Sequence, residues 1–110
     1  MSQHYFESTH NGSAVTVLVG WDRPLQSYFM VIERVVAEVD FGDEVRGDYL
    51  YSHLNEPRPF GMSLAFYKSK LDELGIAVPD TMFAQTERDQ TMNIGNRHVW
   101  HEIDGTYRES

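Results

Sequence analysis

Residues 14–39 read AVTVLVGWDRPLQSYFMVIERVVAEV, and the way this stretch folds decides the layout of the chain. β-Branched and aromatic residues fill both arms while Gly20 and Pro24 interrupt the middle, which predicts two long strands joined through Trp21-Asp22-Arg23-Pro24 as a hairpin. In the first arm Val15, Val17 and Val19 fall on one face and Ala14, Thr16 and Leu18 on the other. Neither face is clearly polar, as expected of an interior strand. The second arm is apolar on both faces from Ser27 to Ile32, and Glu33 and Arg34 then bring it into water. A helix over 27–38 is the competing assignment, but Val31, Ile32, Val35 and Val36 are stiff at χ1 and favour extended chain.

Upstream, Tyr5-Phe6 followed by Asn11-Gly12 predicts a first strand over Gln3 to His10 that turns back into this hairpin. Downstream, the acid-rich stretch Glu38 to Asp48, broken by Gly42 and Gly47, reads as a solvated loop. A short strand from Tyr49 to Leu54 follows. Residues 55–61, NEPRPFG, cannot be helical because Pro57 and Pro59 fix φ and restrict the residues before them. Ser63 then stands as an N-cap ahead of Leu64, Tyr67, Leu71 and Leu74, a stripe at helical spacing that stops at Gly75. Asp80 is placed to cap a second helix from Thr81 to about Gln90, turning Met82, Phe83 and Thr86 inward. Arg97 to Ile103 reads as a last strand, and residues 106–110 as a frayed end. The class implied is α+β: one domain over 1–110, a mainly antiparallel sheet of four to five strands packed on one face by two short helices.

Composition narrows the function classes. Seventeen acidic residues against nine basic ones give a formal charge of −8, which opposes direct docking on nucleic acid or an anionic membrane. The chain has no cysteine, so disulfides, thiolate catalysis and cysteine-bound zinc are excluded. Asp22, Arg23, Glu33 and Arg34 interrupt the longest apolar region before it approaches a membrane span. The start, MSQHYFESTH, lacks a basic end followed by an apolar run. A cytoplasmic location is the expectation.

The candidate site residues each carry a plain structural explanation. Trp21, Asp22 and Arg23 combine residue types that dominate interfaces on one rigid turn, and Tyr49 and Tyr51 extend that surface. Alternatively, Trp21 closes the edge of the core while Asp22 and Arg23 pair locally. His98, Trp100 and Glu102 share one face of the last strand, and His53 would join them in a pocket if its strand lay alongside. A surface cross-strand pair explains them equally. His98 and His101 fall on opposite faces and cannot share an ion. Asp40, Asp43, Glu44 and Asp48 lack the spacing of a calcium loop, and Gly61-Met62-Ser63 lacks the preceding strand of a nucleophile elbow. No metal and no cofactor are expected. With no convergent catalytic set, the leading expectation is a non-catalytic interaction or accessory module for a protein partner, basic in character to match the acidic chain. The alternative is a small-molecule or metal-binding protein or minor enzyme using His53, His98, Trp100 and Glu102.

Overall fold

The computed structural model describes residues 1–10, 12–35, 46–53, 56 and 62–109. Strands β1 (Ser2–His10), β2 (Ser13–Asp22), β3 (Ser27–Val35) and β4 (Arg46–Ser52) precede helices α1 (Leu64–Glu73) and α2 (Asp80–Thr91). Two further strands, β5 (Arg97–His101) and β6 (Tyr107–Glu109), complete a sheet of order β4-β3-β2-β1-β5-β6. The β2–β3 hairpin forms as the sequence implies, with Val17 opposite Ile32 and Trp21 opposite Tyr28. The competing helix over 27–38 does not form within β3.

The α+β class stands, with two corrections. Among the described residues the sheet has six strands, because residues 107–109 form β6 against β5 instead of fraying, and β5 itself ends at His101. One pair is parallel: β5 lies beside β1 with His4 level with Val99 and Tyr5 with Trp100. The two helices intervene between β4 and β5, so the chain crosses the sheet before re-entering it beside β1, a position that a tight hairpin from β4 could not reach. The acid-rich loop, apart from the β4 residues 46–48, and most of residues 55–61 lie outside the described residues.

Alternation along the strands builds the core. Phe6, Val15, Val17, Val19, Met30, Ile32 and Tyr51 bury one face against Tyr67, Leu71, Ile76 and Met82 from the helical layer. Ser63 caps α1 by accepting from the Phe66 amide at 3.1 Å. At its end Gly75 takes φ 73°, and the Ile76 amide folds back to the Leu71 carbonyl at 2.9 Å. This left-handed glycine seats Ile76 in the core. Helix α2 begins at Asp80, one residue earlier than the sequence implied, and Pro79 holds the cap position without a side-chain bond. Asp80 therefore sits in the first turn, where its charge faces the positive end of the helix.

Candidate active site

Placing β5 against β1 brings together side chains nearly a hundred residues apart. Ser2, His4 and Phe6 alternate onto the helix-covered face, as do Val99 and His101. His101 lies one alternation beyond Val99, the partner of His4, and its Nε2 is 2.8 Å from His4 Nδ1. Helix α2 closes over them. Its inward stripe runs Met82, Thr86, Asp89, so that a carboxylate occupies a position where an apolar residue is the rule. His4 Nε2 meets Asp89 Oδ2 at 2.5 Å, and Arg97 donates to Asp89 Oδ1 at 2.8 Å. The Ser2 hydroxyl also bonds Asp89 while accepting from the Trp21 amide at 3.1 Å. Arg97 extends the network by donating to Gln85 and Glu109, both at 2.9 Å. His4 and Asp89 are fully buried, and His101 is 3% exposed.

Burial of this kind is costly unless every group is paired, and the pairing sets the charges. Burial alone would raise the Asp89 carboxyl, but hydrogen bonds from His4, Arg97 and Ser2 outweigh it and hold the group below its usual range. Asp89 is an anion. Burial would lower the Arg97 guanidinium, but its bonds to Asp89 and Glu109 outweigh that and raise it further. His101 is driven the other way: burial first, then the neighbouring His4 and Arg97, push it down to about 4. It is neutral at physiological pH.

Proton positions follow from these charges and are assigned from the network, since hydrogens on the rings are inferred from their partners. An anionic Asp89 only accepts, so His4 Nε2 carries a proton. Where His101 Nε2–H donates to His4 Nδ1, His101 Nδ1 is left as a lone pair. That Nδ1 is buried and has no hydrogen-bond partner. Asp89, His4 and His101 form a relay with one open terminus, the arrangement that orients and charges a general base in other triads.

The His101 ring lines a cavity of about 110 Å³ with Phe6, Trp100, Glu102 and Arg108. It lies where β1 and β5 part beyond Tyr5 and Trp100, at the carboxyl ends of the parallel pair. A second cavity of about 480 Å³ adjoins it, sharing Phe6 and Glu7.

The residues singled out from the sequence are dispersed. Trp21 is 4% exposed, packs edge-on to Tyr28 and donates to Asn93 at 3.3 Å, so its ring is inside the fold. Asp22 accepts from the Leu25 amide in its own turn, and Arg23 lies over Gly95. Tyr49 pairs with Glu33 in β4. Tyr51 is level with Ile32, four residues along β3 from the partner of Trp21, and sits two strands over from Trp21, hence roughly 16 Å away. Its hydroxyl, raised by burial and then by Glu56, donates to that carboxylate at 2.9 Å. His53 follows β4 and contacts the Met30 carbonyl, with three strands between β4 and β5. It is therefore roughly 19 Å from the His98 strand and shares no pocket with it. His98 and Trp100 do share the uncovered face, where Trp100 stacks on Tyr5 at 4.5 Å. Glu102 lies past the end of β5, beside His101.

Sequence reasoning missed His4, Asp89 and Arg97 and gave His101 no role. The available signal was polarity out of place: Asp89 on the inward stripe of α2, and His4 between Ser2 and Phe6 on an alternating strand. Among the described residues no group of three or more histidines and carboxylates is arranged to hold a metal ion. No described helix is long and apolar enough to cross a membrane. No known family, curated protein or solved structure matches the chain.

Proposed function

We propose that the protein binds a small ligand bearing an acidic N–H or O–H group in the cleft between β1 and β5 and accepts its proton at His101. The carrying observation is that His101, whose Nδ1 is buried and unpaired, lines a cavity and is backed by His4 and Asp89. A perturbed histidine in a cleft with an orienting carboxylate is the combination that acid–base sites require. The cavity of about 110 Å³ admits a group of a few heavy atoms, since a water takes about 30 Å³. The adjoining space accommodates the rest of the ligand. Relative to the sequence expectations, this is the small-molecule class with its centre moved from His98 to His101.

The test is a fragment screen of small acids, amides, phenols and alcohols at pH 7.5, read by the imidazole ¹⁵N resonances. Donor-bearing fragments are expected to move the His101 Nδ1 signal and to lose binding in His101→Phe. In Asp89→Asn they are expected to bind with a weakened pH dependence. Fragments that bind His101→Phe as well as the parent, or that move only signals remote from β1 and β5, refute the reading.

The formal charge of −8 supports a second reading, a docking module for a basic protein partner. It requires a surface other than Trp21, which is buried.

A further inference from the structure

Strand β1 outruns its neighbour. Its pairing with β5 ends at Tyr5, whereas on the other side it stays paired with β2 as far as His10 opposite Ser13. From Glu7 to Thr9 the edge turned toward β5 has no strand partner among the described residues. Natural sheets cover, shorten or charge such edges, because unpaired amides and carbonyls template another strand. This one instead borders the cavity of about 480 Å³, whose apolar wall is made by Phe6, Val15, Ala77 and the 67%-exposed Ile103. Two contacts flank this stretch. His10 bonds the Leu74 carbonyl at 2.9 Å, fixing the end of β1 to the end of α1. The Glu102 amide bonds the Thr106 carbonyl at 2.8 Å, turning the chain away where β5 would otherwise have continued along β1.

We propose that this edge is a docking site for an extended peptide segment of a partner protein, added to the sheet where β5 leaves off, with basic residues alternating with apolar ones. The backbone of Glu7–Thr9 supplies the hydrogen-bonding template, and the groove takes alternate side chains, which is how strand addition divides affinity from specificity. The apolar partners of the peptide are Phe6, Ala77 and Ile103. Its basic residues face Glu7, which lines the groove, and Glu102 in the adjoining cavity, within a chain of net charge −8. The proposal rests on the docking-module reading and does not require the chemistry assigned to His101.

Selection of a phage-displayed random dodecapeptide library against the immobilised full chain tests it, followed by titration of the enriched peptides into ¹⁵N-labelled protein. The expected sequences alternate apolar residues with Lys or Arg and give interstrand contacts to the amides of Glu7–Thr9. Their affinity should fall about tenfold between low and several-fold higher salt, as charge-steered complexes do. Ile103→Asp places a charge in the groove at an exposed position and should weaken them at least as much, whereas His101→Phe should leave them bound. Three results overturn the proposal: no enrichment, enriched peptides that contact other strands or bind Ile103→Asp unchanged, or a free chain that already dimerises through Glu7–Thr9. Loss of peptide binding in His101→Phe but not in Ile103→Asp would place the peptide in the His101 cleft and overturn the edge proposal while sparing the ligand site.

Discussion

The His101 side chain holds a proton far more readily in the unfolded chain, at the ordinary value of 6.5, than in the fold, where it is pushed to about 4. Between those values the unfolded state binds more protons, so stability is fully present above about pH 6.5 and is lost progressively as pH falls toward 4. The difference between 6.5 and about 4 corresponds to about 3 kcal/mol. Asp89, with its lowered carboxyl, acts in the same direction at still lower pH. Urea midpoints at pH 7 and pH 4.5 are expected to differ by more in the parent protein than in His101→Gln. Equal differences would show that the imidazole is not buried neutral. A second residue-scale outcome concerns Gly20, where a Cβ would lie 2.0 Å from the Ser2 carbonyl oxygen and 2.5 Å from the Phe29 ring. Gly20→Ala must push β1 from β2, and a loss of about 2 kcal/mol or more is expected in thermal melting. The sequence marked Gly20 only as a punctuation point, because the carbonyl it accommodates belongs to the other end of the β1–β2 hairpin.

At the scale of elements, each helix depends on a different kind of interaction. Helix α1 is specified locally by the Ser63 cap, the Tyr67–Leu71 stripe and the Gly75 stop, all readable from spacing. Ser63→Ala should therefore cost about 1 kcal/mol and leave the site intact, measurable as a lowered midpoint with unchanged imidazole signals. Helix α2 is fixed to the sheet by Asp89, which holds His4 of β1 and Arg97 of β5. Arg97 also reaches Glu109 of β6, whose side chain is half-exposed. Breaking the buried pair with Asp89→Asn is expected to cost about 3–5 kcal/mol. Glu109→Gln, on the solvated side of the same arginine, should cost under about 1 kcal/mol. A reversed ranking in denaturant titrations would mean that Arg97 is anchored from outside. These pairings also explain why residues 107–109 form a strand: Tyr107, Arg108 and Glu109 carry no strong pattern of their own, and the β5 edge supplies the template.

For the whole molecule, charge imbalance and connectivity dominate. An excess of acidic groups opposes the compact state by self-repulsion, which salt screens within about 10 Å at 0.1 M. Raising the salt from about 0.02 to 0.2 M is expected to increase Tm by a few degrees. A decrease would indicate that the Asp89–Arg97 network and other pairs outweigh the repulsion. The helices cover one face of the sheet only. The other carries Tyr5 stacked on Trp100, with Phe29 covering Gly20. Strand order keeps His53 away from His98 and brings His4 to His101, so the histidine cluster that forms is a different one from the cluster the strand patterns suggested.

Residue type and spacing alone were enough to define the β2–β3 hairpin, the capped helix after Ser63 and the acidic character of the chain, because those depend on neighbours a few positions away or on composition. The parallel seating of β5 against β1, the sixth strand and the Asp89–His4–His101 relay came from the tertiary structure. Apolar burial is non-directional, and several strand orders bury the same valines equally well. Only the assembled sheet determines which polar side chains, separated by most of the chain, meet in its interior.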